Sequence, residues 1–139
     1  MTRHEARQRA LQALYQIDVG KADVMPAIVH VLEDTTVSDA DLSFIQKLVQ
    51  GTQHHVNEID EILEKNVQGW NMDRIARVEL NVLRMALYEL MHESDVDVAT
   101  ILDEAVELAK EYSTDASGKF VNGVLARLLP LVESVRKGE

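Results

Sequence analysis

A Gly-Lys pair lies inside the segment DASGKFVNGVL, residues 115–125, and is the first place where residue types suggest chemistry. Backbone amides at the start of a helix, together with a lysine, can hold a phosphate group. A Walker A nucleotide loop also needs a glycine five residues before Gly118 and a serine or threonine after Lys119. This chain has Ser113 and Phe120 at those positions, so the segment does not predict nucleotide hydrolysis.

Two interpretations of this segment stay open. In the first, Gly118 and Lys119 begin a helix whose free amides and ammonium group attract a phosphate, and Phe120 is available to stack on a base. In the second, Gly118 only permits a turn and Phe120 belongs to the core. The residue pattern alone does not separate a binding site from a structural junction.

Patterns typical of catalysis or metal binding are incomplete. The segment HEARQ resembles the start of a zinc-protease motif, but Gln8 stands where the second histidine ligand belongs. His54 and His55 are adjacent, so on a helix their side chains point about 100° apart and do not simply share one ion. The chain has no cysteine, which excludes disulfides, thiolate metal sites and cysteine nucleophiles. We therefore predict no enzymatic activity, no metal site and no cofactor.

A basic and aromatic ridge is predicted near the N-terminus. Arg3, Arg7, Leu11 and Tyr15 recur every fourth residue and so lie along one side of a helix. Guanidinium groups pair with phosphates through two parallel hydrogen bonds, and an aromatic ring can stack on a base. Single-stranded RNA is commonly recognised by this combination of charge and stacking. The alternative is a solvated charged edge with Tyr15 half-buried, and the pattern leaves both open.

Size and composition favour a single helical domain over residues 1–139. Hydrophobic residues make up 46% of the chain and aromatic residues only 4%, with few glycines and prolines, a composition that favours helices over many short strands. The net charge of −10 argues against indiscriminate binding to nucleic acid. Residues 1–21 are an exception, because four basic side chains accompany two acidic ones there. The sequence shows no membrane span or signal segment, so we expect a cytoplasmic protein.

Apolar residues at helical spacing predict six or seven helices and no confident strand, so the expected fold class is all-α, a compact bundle. The predicted helices cover about 2–19, closed by Gly20; 26–33, starting at Pro26; a long segment capped by Ser38, with a break near Gly51; 72–92, capped by Asn71; a segment from Asp97 to about 112; and 118–136, where Pro130 should kink or unwind the helix.

The helix predicted over 72–92 should lie at the centre of the bundle, because apolar residues occupy well over half of its circumference. Its narrow polar strip holds Arg77, Asn81, Arg84 and Tyr88. Glu79 falls inside the apolar sector, where an unpaired carboxylate is costly. Glu79 is either a structural partner for an arginine such as Arg7 or an acceptor of hydrogen bonds from base amino groups.

Three blocks in this order, HEARQRALQALYQID, RVELNVLRMALYEL and DEAVELAKEYSTDASGKFVNGVLARL, resemble the NusB family of bacterial transcription antitermination factors. The SxKFVNGVL portion is typical of that family and of the related N-terminal domain of certain rRNA cytosine methyltransferases. The resemblance implies an all-α fold of two small helical halves, without catalysis. It also implies binding to the boxA element of rRNA leader transcripts together with NusE, a small-subunit ribosomal protein. That assembly then joins other Nus factors and RNA polymerase.

The resemblance also implies which residues bind. The family's RNA contacts correspond here to Arg3, Arg7, Tyr15, Glu79, Arg84, Lys119, Phe120 and Asn122. Its NusE surface corresponds to the loop over residues 112–119 and the neighbouring acidic helix, with Glu104, Glu107, Tyr112 and Asp115 as candidates. The chain departs from the family at His4 and Gln8, where more cations are expected, and at Ala116, where some members carry an acidic residue.

These departures favour weak RNA binding by the chain alone, reinforced by NusE. A helical adaptor that binds only proteins, with little RNA affinity of its own, is the alternative function. The sequence does not decide whether the chain forms a homodimer.

Overall fold

The computed structural model describes residues 1–138, and over these residues it is all-helical, as predicted. Its helices are α1 (Arg3–Gly20), α2 (Val24–Val31), α3 (Asp39–His54), α4 (Val56–Asn66), α5 (Arg77–His92), α6 (Val98–Tyr112) and α7 (Asp115–Arg136). A short 3₁₀ helix at Met72–Arg74 precedes α5. The chain forms two compact units, one spanning Met1–His54 and the other beginning at His55. That the two form a single domain stays a prediction.

The first unit consists of α1, α2 and α3, which pack on one another. Helix α1 starts with a capping box, in which the Thr2 hydroxyl accepts from the Glu5 amide and the Glu5 carboxylate accepts from the Thr2 amide. We predicted that Gly20 closes this helix, but Gly20 is still helical. Lys21 ends it in the left-handed conformation at φ 57°.

The bounds of α2 and α3 differ from prediction at two points. Helix α2 begins at Val24, two residues before Pro26, because proline is tolerated anywhere in a first turn whose amides have no helical partner. The long segment does break, but at His55, four residues after Gly51, since α3 continues to His54 and α4 begins at Val56. Ser38 caps α3 as predicted, with its hydroxyl accepting from the Asp41 amide at 3.1 Å.

Helix α5 is the centre of the second unit, as predicted, and contacts α4, α6 and α7. Every residue over 80–90 is buried, including Asn81, Arg84 and Tyr88 of the predicted polar strip, whereas Arg77 is half-buried. The buried polar groups have partners, since Asn81 donates to the Arg77 carbonyl at 2.8 Å and the Tyr88 hydroxyl donates to Glu93 at 2.7 Å. Burial and the Glu93 carboxylate both raise the pKa of Tyr88.

The start of α5 lies later than predicted. Asn71 does act as a cap, but its side chain accepts from the Asp73 amide and caps the 3₁₀ turn. The chain then turns extended at Ile75, so α5 proper begins at Arg77. The predicted helix over 72–92 is therefore two pieces.

Helices α6 and α7 form a hairpin whose ends the sequence identified in part. Asp97 caps α6 as predicted, accepting from the Thr100 amide at 3.3 Å. Helix α7 begins three residues earlier than predicted because Thr114 caps it, accepting from the Ser117 amide at 3.1 Å. Pro130 does not unwind α7, which remains helical to Arg136. Within residues 1–138, each helix is too short or too polar to cross a membrane.

Candidate functional site

Arg3 is the most accessible cation of the predicted N-terminal ridge. Its side chain is 53% exposed. The guanidinium carbon lies 4.2 Å from the centre of the Phe44 ring, and Nη1 donates to Asp41 at 3.2 Å. The N-terminal ammonium group contacts the same carboxylate at 3.3 Å. The ring and the carboxylate hold the Arg3 side chain at the surface, where more than half of it stays exposed.

The predicted ridge is not a continuous surface. Arg7 is only 4% exposed, and its guanidinium carbon lies 5.2 Å from the centre of the Phe44 ring. Leu11 is buried as well, whereas Tyr15 is 40% exposed. Four-residue spacing drifts around a helix of 3.6 residues per turn, so the middle of the ridge turns inward. The surface of α1 therefore offers the Arg3 cation and the Tyr15 ring, about 18 Å apart along the helix axis.

Arg9, which the sequence did not single out, joins α1 to α2. Its Nη1 donates to the Val31 carbonyl at 2.7 Å and to the Asp34 carboxylate at 2.8 Å. The same contact lowers the pKa of Asp34. Arg9 lies between Arg7 and Leu11 in sequence, and no local pattern distinguishes this structural arginine from a ligand-binding one.

Arg84 is part of a two-point ion pair inside the second unit. Its Nε and Nη2 donate to the two carboxylate oxygens of Asp60 at 2.9 and 2.8 Å, and its side chain is only 9% exposed. This geometry is the one in which arginine binds a carboxylate most strongly. The predicted RNA contact of Arg84 stays a prediction, but the Nε and Nη2 edge of the guanidinium is already bonded to Asp60. Glu79, one turn into α5, is half-buried.

Part of the segment over residues 115–125 lines a groove between α6 and α7. Lys119 and Asn122, predicted to bind RNA, lie here beside Glu107 and Asp115, predicted to bind a protein partner. The groove has a volume of about 600 Å³ and is also lined by Asp103, Val106, Lys110 and Gly118. Three carboxylates and two ammonium groups meet in it. Phe120 is half-buried and lies outside the groove lining.

Gly118 and Lys119 do not begin α7, which corrects the first interpretation of this segment. The Gly118 amide donates to the Thr114 carbonyl at 3.2 Å, so it is already used inside the helix. The first-turn amide of Ser117 is taken by the Thr114 side chain. A phosphate bound here would contact the Lys119 side chain. The Gly118 amide would not be available to it.

The glycine at position 118 is explained by close helix packing. A Cβ atom there would lie 2.8 Å from Cγ of Lys110 and 3.4 Å from the Val106 carbonyl oxygen. Gly118 therefore allows α7 to approach α6. A Cβ atom on residue 123 would have no neighbouring atom within 4 Å. Close helix packing therefore does not explain why residue 123 is a glycine.

The remaining partner candidates lie on α6 outside the groove lining. Glu104 is half-buried on α6, and Tyr112 is exposed at the end of that helix. Asp103 and Lys110, which the sequence reasoning missed, complete the groove. The signal for them was available, because Asp103, Glu107 and Lys110 recur at the three- and four-residue spacing of one helix face.

Comparison with known proteins identifies the family. Residues 4–130 match the model of the NusB family. The transcription antitermination protein NusB of Geobacillus kaustophilus is 48% identical over 128 residues, covering 92% of this chain and 95% of the relative. The Bacillus subtilis protein of the same name is 41% identical over 133 residues, covering 96% and 98%.

Solved structures agree with the sequence relatives. NusB of T. maritima superposes with a TM-score of 0.84 at 32% identity, covering 92% of this chain and 90% of that one. A crystal structure of the antitermination factors NusB and NusE in complex with double-stranded RNA superposes with a TM-score of 0.81 at 29% identity, covering all of both chains. The chain is an all-α transcription antitermination factor and not an enzyme. It belongs to the NusB family.

Proposed function

We propose that the chain binds the boxA element of rRNA leader transcripts together with NusE and so supports processive rRNA transcription. The observation that carries the proposal is its likeness, over the whole chain, to the NusB structure solved with NusE and double-stranded RNA. Other Nus factors and RNA polymerase join indirectly, through this assembly. Because bacterial transcription takes place in the cytoplasm, the proposal implies a cytoplasmic location.

In the first unit, Arg3 and Tyr15 are the proposed RNA contacts. More than half of the Arg3 side chain is exposed, so its guanidinium group can pair with a phosphate, and Tyr15 is 40% exposed, so its ring can stack on an unpaired base. Arg7 is buried against Phe44. Its proposed contribution is therefore to the position of the Phe44 ring, against which Arg3 also packs.

In the second unit, Lys119 and Asn122 are the proposed polar contacts, since both are exposed at the groove. Lys119 would meet a phosphate, and the amide of Asn122 can both donate to and accept from a base edge. Phe120 and Glu79 are half-buried, so we assign them edge contacts at most.

The acidic side of the α6–α7 groove is the proposed NusE surface. Glu107 and Asp115 line it. Glu104 and Tyr112, elsewhere on α6, are proposed as further contacts. Carboxylates concentrated on one helix face attract a basic ribosomal protein and orient its approach. Because Lys119 lies in the same groove, RNA and NusE would meet at one corner of the chain. Each partner would then raise the apparent affinity for the other.

Matched substitutions test this division of labour. We expect Tyr15→Ala to lower the RNA affinity of the chain–NusE mixture by about tenfold, because one stacked base contributes roughly 1–3 kcal/mol. NusE binding should be unchanged. Tyr112→Ala, at a comparably exposed tyrosine, should instead weaken NusE binding.

A second pair of variants tests the lysine. Lys119→Gln should lower RNA affinity. Lys137→Gln should not, because this exposed lysine is the C-cap of α7, about 27 Å further along the helix axis. Fluorescence anisotropy with labelled RNA, and calorimetry with NusE, give the two readouts.

The alternative is a helical adaptor that binds proteins and barely contacts RNA. It is favoured by the net charge of −10 and by the burial of Arg7 and Arg84, two of the predicted RNA-binding arginines. Unchanged RNA association in the Tyr15→Ala, Phe120→Ala and Lys119→Gln variants, with NusE binding intact, would establish this alternative.

A further inference from the structure

Three side chains with metal-binding atoms meet between the start of α4 and the end of α5. Nδ1 of His55 lies 3.2 Å from Oε2 of Glu58, and Nε2 of His92 lies 3.6 Å from Oε1 of the same carboxylate. The two imidazole rings stack with their centres 3.8 Å apart. One ligand atom from each residue lies within 4.8 Å of the other two. All three residues belong to the second unit.

We propose that His55, Glu58 and His92 form a binding site for one divalent transition-metal cation of the Zn²⁺ class. Two imidazole nitrogens and one carboxylate oxygen are a ligand set that suits Zn²⁺, whereas Mg²⁺ and Ca²⁺ prefer oxygen ligands only. Three protein ligands leave at least one coordination position for water. The site rests on the geometry of these side chains and does not depend on the proposed RNA function.

Part of the cluster already has the spacing of a coordinated ion, and one imidazole ring must rotate to complete the ligand set. Zn–N bonds of about 2.0–2.1 Å in a tetrahedral site place ligand atoms about 3.4 Å apart. The two contacts of Glu58 already lie close to that spacing. Stacked rings direct their nitrogen lone pairs in parallel, so one imidazole must turn for both to face the ion. The three side chains are partly exposed, which leaves room for that turn.

The Tyr88 ring lies beside the imidazole pair, 5.6 Å from the His92 ring and 6.0 Å from the His55 ring. Tyr88 therefore occupies one side of the cluster.

A bound ion would connect two elements that are distant in sequence. His55 is the N-cap residue of α4, Glu58 lies in the first turn of that helix, and His92 is the last residue of α5. The Arg84–Asp60 ion pair joins the same two helices. Coordination would add a second connection, at the start of α4 and the end of α5. We therefore expect Zn²⁺ to raise the thermal midpoint of unfolding, since an ion that binds the folded chain stabilises it by mass action.

Calorimetric titration of untagged protein with zinc chloride tests the site, with magnesium chloride titrated in parallel. We expect one Zn²⁺ per chain, no saturable Mg²⁺ binding, and an affinity for Zn²⁺ that falls by at least about tenfold in His92→Gln and in Glu58→Gln. The Glu58 side chain is 47% exposed, so that variant should fold even if His92→Gln does not. The matched control is His30→Gln. His30 and Glu33 form an exposed pair with the same three-residue spacing, at 3.6 Å, in the first unit.

The outcomes separate a built site from loose binding to surface histidines. Loss of Zn²⁺ binding in the cluster variants, with wild-type binding in His30→Gln, supports the proposal. Three results overturn it: no saturable Zn²⁺ binding by the wild type, wild-type affinity in Glu58→Gln, or an equal loss in His30→Gln. Tetrahedral absorption bands with Co²⁺ as a probe ion, lost in Glu58→Gln, would independently support the ligand set.

Discussion

At the scale of single residues, the Arg84–Asp60 pair is the contact with the largest expected effect on stability. Both guanidinium bonds are close to ideal length, and little of either side chain reaches solvent. Removing one partner of such a pair leaves the other charge partly buried without compensation. The pair also fixes α4 against α5, the helix at the centre of the second unit.

We predict that Arg84→Met lowers the free energy of unfolding by about 2–3 kcal/mol, a discounted value because Asp60 is partly exposed. Urea denaturation measures it. The control is Lys65→Met, which removes an exposed pair with Glu61 on α4 and should cost only about 0.3–0.5 kcal/mol. If Arg84→Met keeps wild-type stability but loses RNA affinity, Arg84 is an RNA contact after all.

Asp41 gives the first unit a pH dependence whose sign follows from its contacts. A hydrogen bond from Ser38, followed by the N-terminal ammonium group and Arg3, lowers the pKa of Asp41. A carboxyl group whose pKa is lower in the folded state stabilises the fold above its unfolded pKa of about 4. That stabilisation is lost as the pH falls through the folded value.

Asp41→Asn should therefore be less stable than the wild type at pH 7, and the difference should shrink below about pH 4. Urea midpoints of both proteins at pH 7 and pH 3 check this. Asp39→Asn, in the same first turn of α3, serves as the control and should show a smaller change in that difference. A gap between wild type and Asp41→Asn that is equal at both pH values would contradict the assignment.

At the scale of helices, the start of α7 determines where the predicted binding residues lie. Thr114 accepts from the Ser117 amide, and the Ser117 hydroxyl donates to Ser113 at 2.9 Å. This small network fixes the first turn, so it sets the rotation at which Lys119 and Asn122 enter the groove.

We predict that Thr114→Ala lowers the free energy of unfolding by about 1 kcal/mol, the usual cost of losing an N-cap. Thr114→Ser keeps the hydroxyl and should retain most of that stability. Chemical denaturation of the three proteins gives the comparison. Equal losses in both variants would mean that the cap hydrogen bond is not the source of the effect.

The two glycines of α7 should respond oppositely to alanine. Gly123→Ala should raise the free energy of unfolding by about 0.5–1 kcal/mol, because its site is open and alanine favours the helix. Gly118→Ala should lose that gain or destabilise the chain, since its methyl group would meet Lys110. Denaturant midpoints decide, and equal stabilisation by both changes would contradict the close packing of α6 on α7.

Helix existence was predictable from sequence, whereas several helix ends were not. Apolar periodicity gave all seven helical segments in outline, and the caps at Ser38 and Asp97 are local features of side chain and backbone. The start of α7 was misjudged because Gly118 looked like a helix boundary, while the working cap is Thr114. Gly118 is instead explained by a neighbour on α6, which no local pattern contains.

At the scale of the whole molecule, the helix that carries each proposed binding residue was predictable, but the exposure of that residue was not. The periodicity placed Arg7 and Tyr15 on one ridge, yet one is buried and the other is exposed. Burial depends on which element covers a helix face, and the Phe44 ring that meets Arg7 is 37 residues further along the chain. The mixed charge of the α6–α7 groove likewise arises only when two helices are brought together.

An acidic chain with a few accessible cations suits an adaptor that binds RNA with help from a partner. The net charge of −10 is unfavourable for RNA, so we expect few phosphate contacts and a shallow salt dependence of the proposed binding. Discrimination between RNA sequences must then come from stacked and hydrogen-bonded bases. NusE would supply further contacts at the groove shared by Lys119 and Asp115.

The central claim, that the chain and NusE together bind boxA RNA, is tested most directly by a competition experiment. Unlabelled boxA RNA and a scrambled RNA of the same length and composition each compete for an equimolar mixture of this chain and NusE. Anisotropy of labelled boxA RNA reports the displacement. We predict that boxA RNA competes at least about tenfold better than the scrambled RNA, because each mismatched position typically costs 1–3 kcal/mol in sequence-specific recognition. Equal competition by the two RNAs would contradict the account.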